Sequence, residues 1–577
     1  MSLLSVKINH FSFIALLGLI VLTTTSTQAA NQDKRLVLQQ ARTITGRIDR
    51  PVRPVKNIIL LIPDGTSLAT VSAARWYQWL LHPELPALYI DPYICGTVRT
   101  NSSNAPIGDS APTTSCYMTG ELSQTGFIAT YPPVDKANDI FTVDSTKAYQ
   151  PMMTVLEAAR IVYGKSTGLA FTCEFPHATP ADCSSHDYSR GNYKNIAEQM
   201  AHNQLDVVLG GGNSFLKAEE RAYLAKNGYT VQSDDLAGLR AFKGKKLWSL
   251  FGSRDIPYDL DRDTASVPAL SELTSKAIGL LSKNKNGFFL MVEGSKVDWA
   301  AHANEPIAMI TEFLAFDRAC KVALDFAKND GNTAVIILPD HGNGGISIGT
   351  RRMPGYDKLS KDELFKSVLA TKVTAVRLAE MLNETSYENL RSTFKKYTGV
   401  ELTDAEKAVI DSCKDYEKSP IPPAQRSNGG LLKLYITRML ADKSCFAFTT
   451  TGHTGEEVFV ANYHPKGAVF KGVHFGFEVN DYLCSLYKLD GKLPGLTNQY
   501  FAKHSEVFKG MDCLLKSSST GVDAELTVTS GNNKLTIRQN SSIASFNGKD
   551  RQLPTVVVFV DKNQTFYLPA FLADWMN

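Results

Sequence analysis

Residues 57–65 read "NIILLIPDG": five consecutive apolar side chains, Ile58 to Ile62, run into Pro63, Asp64 and Gly65. A strand with one face in water alternates apolar and polar residues, so an unbroken run bounded by turn residues belongs to a strand covered on both faces. Three more runs of this kind follow, "DVVLGGG" at 206–212, "GFFLMVEG" at 287–294 and "TAVIILPDHGNGG" at 333–345. Between them lie stretches with helical spacing, such as "MMTVLEAARIV" at 152–162 and "EPIAMITEFLAFDRACKVALDFAKN" at 305–329. Buried strands separated by helices predict a doubly wound α/β domain with a mainly parallel sheet.

Two regions break this rhythm. Residues 351–445 are charged and helical in pattern and carry the loop "KSPIPPAQRSNGG" at 418–430, which marks a helical insertion. Beyond residue 514 the chain turns to short alternating segments separated by turn residues, the pattern of a small β-rich module over 515–577. The first thirty residues differ again: Lys7, the apolar stretch Phe11 to Leu22, then "TTTSTQAA". A basic start, a short apolar centre and a small-residue end describe a secretory signal peptide over 1–30, whereas an uncleaved spanning anchor needs about 20 apolar residues. The expected product is an exported chain of 31–514 plus the module, periplasmic, secreted or surface-associated, with no transmembrane helix after cleavage.

The 577 residues carry a net charge of +3 with both signs mixed along the chain, which gives no footprint for nucleic acid or a membrane surface. Nine cysteines in a chain this long are too sparse for a disulfide scaffold. A bridge from Cys173 to Cys183 across a short loop, and pairing among Cys413, Cys445, Cys484 and Cys513, are open to an exported chain, and spacing alone does not fix them.

The buried runs end in acidic residues: Asp64, Glu293 and Asp340, the last followed by His341. Strand carboxyl ends of an open parallel sheet line the crevice where ligands bind, so these groups are expected to face one another. In "VEGSKVDWAAHAN" at 292–304, Asp298 and His302 are four residues apart, which on a helix puts them on one face, able to share an ion or simply to form a solvated pair. Imidazole with carboxylate favours zinc; an all-oxygen set favours magnesium. In "GDSAPTTSCYMTG" at 108–120, Ser110 stands at a helix start, as a nucleophile in the positive end of the helix dipole or, like Asp109, as a plain N-cap. "CEFPHATPADCSSHDYSRGNY" offers His177, Thr179 and then Arg190, whose planar fork suits phosphate oxygens but also an ordinary salt bridge. His453, in "TTTGHTGEEVFV", sits in a loop leading into a strand, where it can close a histidine-containing site.

In order along the chain, "IPDG", "GDSAPTTSCYMTG", "HATPAD" with Arg190 following, "VLGGG", "VEGSKVDWAAHAN", "ILPDHG" and "GHTGEE" resemble the metal-dependent alkaline phosphatases, from about residue 55 to about 460. The resemblance implies hydrolysis of phosphate monoesters through a phosphoseryl intermediate, two Zn2+ and one Mg2+, and a homodimer. It implies one zinc on Asp298, His302 and His453, a second on Asp340 and His341 with Ser110 as nucleophile beside it, and Asp64 bridging toward a magnesium completed by Thr179 and Glu293. Arg190 is implied to grip phosphate. His177 and Trp299 stand where some members carry Asp and Lys, close to the magnesium and the phosphate, so the preference of the third site does not transfer. A phosphodiesterase or sulfatase on the same fold, and a non-catalytic binding protein, are the rival readings. Ser110 with Thr179, Glu293 and Arg190 opposes the first two, and the filled ligand positions oppose the last.

Overall fold

The computed structural model describes residues 48–418, 430–517 and 523–577. The signal peptide expected over 1–30 lies outside the described residues, as does nearly all of the loop expected over 418–430. Among the described residues no helix is long and apolar enough to cross a membrane.

The core is a ten-stranded sheet. In chain order its strands are β1 (Asn57–Pro63), β2 (Ile94–Arg99), β3 (Ser166–Glu174), β4 (Val207–Gly211), β5 (Thr230–Ser233), β6 (Leu247–Phe251), β7 (Phe288–Gly294), β8 (Thr333–Ile337), β9 (Val458–Tyr463) and β10 (Gly472–Phe475). They lie in the order β10-β2-β9-β8-β1-β7-β3-β4-β6-β5. All neighbours are parallel except β9, which runs antiparallel to both β2 and β8. All four apolar runs are strands of this sheet, and β1 shows why they do not alternate. Ile58, Leu60 and Ile62 enter the apolar core on one face, and Ile59 and Leu61 enter the core on the other.

Five helices position the site or pack beside it: α1 (Leu68–Leu81), α2 (Ser110–Thr119), α3 (Ala178–Ala181), α4 (Lys296–His302) and α5 (Pro306–Asp330). α2 ends on Gly120 in the left-handed region at φ 79°, a stop that glycine takes without steric cost. α4 and α5 follow β7 directly and pack on one another, and α5 also packs on α1 and the sheet. The inserted region is helical and has its own apolar cluster, in which Leu378, Leu382 and Phe394 meet Leu432 and Ile436. The tail forms a five-stranded antiparallel sheet from Asp512 to Gln552, and a three-stranded sheet joins Ala502–Lys503 to Thr565–Leu568 and Val558–Val560. Arg160 donates to Pro554 O at 2.7 Å and Gln199 to Asn540 Oδ1 at 3.1 Å, while Val556, Val558 and Tyr567 enter the main core, so the tail is knitted into the body.

None of the nine cysteines is joined to another by a disulfide. The bridge that spacing allows between Cys173 and Cys183 is absent: Cys183 Sγ lies 3.7 Å from Thr179 O, and Cys173 Sγ lies 3.3 Å from Glu293 Oε2.

Candidate metal centre

β1, β7 and β8 are adjacent and parallel, so Asp64, Glu293 and Asp340 emerge at one edge of the sheet, and each is wholly buried. The close approach is built by Gly65. Its φ is +59°, its N–H donates to Asp340 Oδ1 at 3.0 Å, and a β-carbon there would stand 2.9 Å from Asp298 Cα. Gly65→Ala is therefore expected to displace Asp298 and cost about 1–3 kcal/mol of stability. Zinc titration should show weakening at this site of about tenfold or more; an unchanged affinity would refute the positioning role of Gly65.

Three groups of metal-ligand type form: Asp298 with His302 and His453, Asp64 with Asp340 and His341, and Glu293 with His177 and Cys173. The four-residue spacing on α4 does put Asp298 and His302 together, with Oδ2 to Nε2 at 3.4 Å. His453 arrives from the far end of the chain through a two-residue ribbon in which His453 and Thr454 pair with Asn343 and Gly342. That ribbon stacks its ring on His341 at 3.8 Å between centroids.

The imidazoles show that a cation fits. His302 Nδ1 lies 2.6 Å from Thr451 O, His453 Nδ1 lies 3.0 Å from Gly108 O and His341 Nδ1 lies 3.1 Å from Gly342 O. A carbonyl only accepts, so each ring spends its Nδ1–H there and presents Nε2 as a lone pair. The Nε2 atoms of His302 and His453 are nevertheless 3.2 Å apart, two lone pairs directed at one another beside the Asp298 carboxylate. A cation between them converts that repulsion into coordination. Among the acids, Asp64 Oδ2, Asp340 Oδ2 and Glu293 Oε1 are buried with no hydrogen-bond partner, as is the Thr179 hydroxyl at the start of α3. Burial, then the charges of Asp298, Asp340 and Glu293, push the Asp64 carboxyl well above its ordinary value, and burial pushes Glu293 up to about 8. Burial drives His453 down to about 4 and His177 to about 3, so both rings are neutral at ordinary pH.

Ser110 is the first residue of α2 and almost wholly buried. Its Oγ lies 3.2 Å from His341 Nε2 and 3.4 Å from Asp64 Oδ1. Asp109 holds the N-cap position but makes no capping bond, because its carboxylate pairs with the Arg190 guanidinium. Arg190 also donates from Nη2 to His177 Nε2 at 3.1 Å. Trp299 packs edge-on against His177 at 6.1 Å between centroids. His302 is the exposed member of its group, and it opens on a cleft of about 590 Å3 whose other wall is the helix Leu431–Asp442.

Two participants are hidden in the sequence. Asp109 reads there as a cap, and its link to Arg190 crosses 81 positions with no local signal. Cys173 reads as half of a bridge; the available hint is its position four residues before His177, at the end of a strand adjacent to that of Glu293.

The profile of one protein family, described as alkaline phosphatase, matches residues 55–489. Alkaline phosphatase 3 of Bacillus subtilis (strain 168) is 33% identical over 431 residues, 72% of this chain and 86% of that one. The crystal structure of a cold-active alkaline phosphatase from the psychrophile Shewanella sp. is similar with a TM-score of 0.64 and 26% identity, covering 75% of this chain and 99% of that one. A variant of the TAB5 alkaline phosphatase, with Mg bound in its M3 site, shares the fold at a TM-score of 0.51 and 22% identity over 76% of this chain and 99% of that one.

Proposed function

From the premise that the chain belongs to the alkaline phosphatase family and hydrolyses phosphate monoesters, we propose that it does so through a phosphoserine on Ser110 at a three-cation centre. The observation that carries this reading is the seat of Ser110: a buried hydroxyl at a helix N-terminus, 3.2 Å from His341 Nε2, beside unpartnered carboxylate oxygens of Asp64 and Asp340. Asp298, His302 and His453 would hold one zinc, and Asp340 and His341 the second. Asp64 would bridge toward a third cation shared with Thr179 and Glu293, for which the family resemblance implies magnesium, the ion bound in the M3 site of the TAB5 variant.

When bound, the ions supply Lewis-acid stabilisation of the attacking and departing oxygens. The chain does the rest. α2 fixes the Ser110 hydroxyl in one place, with its dipole favouring negative charge there. Ser110 Oγ attacks phosphorus and gives up its proton to solvent, while the bond from phosphorus to the substrate's ester oxygen breaks on the opposite side and that oxygen takes a proton from solvent. Water then cleaves the phosphoserine, restoring the hydroxyl and releasing phosphate. Arg190, braced by Asp109 and His177, presents its guanidinium to the phosphoryl oxygens that neither attack nor leave. The exposed His302 opens on the cleft, which has room for the organic group of the substrate.

Around this centre we place an exported protein whose signal peptide spans residues 1–30, a catalytic domain over 31–514 interrupted by the insertion at 351–445, an accessory module over 515–577, and a homodimer. The support is the leader pattern and the family resemblance.

The discriminating experiment compares kcat/KM for an aryl phosphate monoester with the matching diester and sulfate ester. A monoester preference of several orders of magnitude, lost on chelation, is expected; a diester or sulfate preference would overturn the reading. Arg190→Ala is expected to lower kcat/KM about 10²-fold and to weaken inhibition by inorganic phosphate in parallel. Unaltered phosphate inhibition would remove Arg190 from the phosphate site.

A further inference from the structure

We infer that the third cation site of this chain is a sulfur site, with Cys173 joining Glu293 and His177 as a ligand, and that it selects zinc over magnesium. The inference rests on the three-cation reading and deepens it at one position.

Cys173 lies near the end of β3 and Glu293 near the end of β7, on adjacent parallel strands in which Phe171 is paired with Glu293. Both side chains are wholly buried, and Sγ lies 3.3 Å from Oε2. One nitrogen of His177, Cys173 Sγ and a Glu293 oxygen all lie within 4.8 Å of one another. The thiol is not a lone feature. Glu293 Oε1, Thr179 Oγ1 and His177 Nδ1 are likewise buried with no hydrogen-bond partner, so the thiol stands in a cluster of unpartnered polar atoms.

The donor set decides which ion. Magnesium demands near-octahedral oxygen coordination and keeps several waters, whereas sulfur and imidazole donors suit zinc. Binding displaces the thiol proton to solvent. The resulting thiolate and the Glu293 carboxylate then balance the two positive charges, with Asp64 shared toward the neighbouring site. Neutral His177 joins through Nδ1 in the tautomer that carries its proton on Nε2, which gives up the bond from Arg190 and leaves Asp109 as the brace of that guanidinium. A buried site gains most from such neutrality. Because Cys173 and Glu293 sit on central strands, the pair is held without ordering a loop.

The test strips the full chain with chelator, reloads it in an equal excess of zinc and magnesium, and measures bound metal per chain by mass spectrometry. The expected result is three zinc ions, with zinc exceeding magnesium at the third site about tenfold or more. Cys173→Ser should retain two zinc ions and take magnesium at the third. A second readout replaces the ions with cobalt: a sulfur-to-cobalt charge-transfer band should appear in the wild type and in Cys183→Ser, and vanish in Cys173→Ser and Cys173→Ala. One magnesium per chain in the wild type, or a cobalt spectrum without the band, would overturn the inference even if the variants do not fold. Fewer than two zinc ions in the wild type would instead sink the three-cation reading itself.

Discussion

Ser110→Ala is expected to lower kcat for an aryl phosphate by on the order of 10⁴-fold or more, the scale on which a removed nucleophile usually registers. The change deletes one oxygen in a closed space, since Ser110 is almost wholly buried at the start of α2 and Asp109 keeps the N-cap position. Melting temperature and zinc content should therefore stay close to the wild type, which separates lost chemistry from lost structure. Substrate labelled at phosphorus, quenched in acid, should leave label on the wild-type chain and none on the variant. Label retained by the alanine protein would show that another group accepts the phosphoryl, and the role of Ser110 would have to be abandoned.

Stripping the cations should abolish turnover and lower the melting temperature by on the order of 10 °C near pH 8, since ligands bound only by the folded state add several kcal/mol. The pH dependence carries a sign. In the stripped protein Glu293 titrates at about 8 and Asp64 is also raised, mainly by burial, so the folded chain holds protons that the unfolded chain releases near its ordinary carboxyl values. The stability linked to those protons is full below about pH 4 and is lost as pH climbs through the folded values. His453 and His177, held neutral by burial, run the opposite way below about pH 6.5, because there the unfolded chain binds the extra proton. Above that point the raised carboxyls set the direction at the site, and His341, raised against burial by the charges of Asp340 and Asp298, runs the same way. Groups remote from the site contribute equally to the stripped and loaded proteins and cancel in the gap between them. Scanning calorimetry from about pH 6.5 to 8.5 should thus show the stripped protein losing stability and the gap to the loaded protein widening. A gap that narrows with rising pH would contradict the assignment of these carboxyls as cation ligands.

What can be read from the sequence depends on how far each signal reaches. Asp64, Glu293 and Asp340 are legible because a parallel sheet sends its strand ends to one side, so three separate runs point at one place. Asp298 and His302 are legible because helical spacing is local. β2 and β5 are not: "ICGTVR" and "TVQS" are partly exposed and too short to carry a period. The Asp109 to Arg190 pair and the meeting of Cys173 with Glu293 are products of tertiary packing between elements 81 and 120 positions apart, and no property of either residue announces its partner. For Cys173 the sequence misleads for a definite reason: spacing suggests a cysteine partner, while the neighbouring strand supplies a carboxylate.

The sheet order also sets a timetable. β2, formed from residues 94–99, is flanked only by β9 and β10, which end at residue 475, so its edges stay bare until more than three hundred further residues have been made. His453 sits just before β9 and travels with it. A chain made amino end first therefore owns Asp64, Ser110 and Asp298 long before His453, which comes with the segment that closes the sheet. The group of Asp298, His302 and His453 is therefore completed only with the segment that closes the sheet, whereas Asp64, Asp340 and His341 are all present by residue 341.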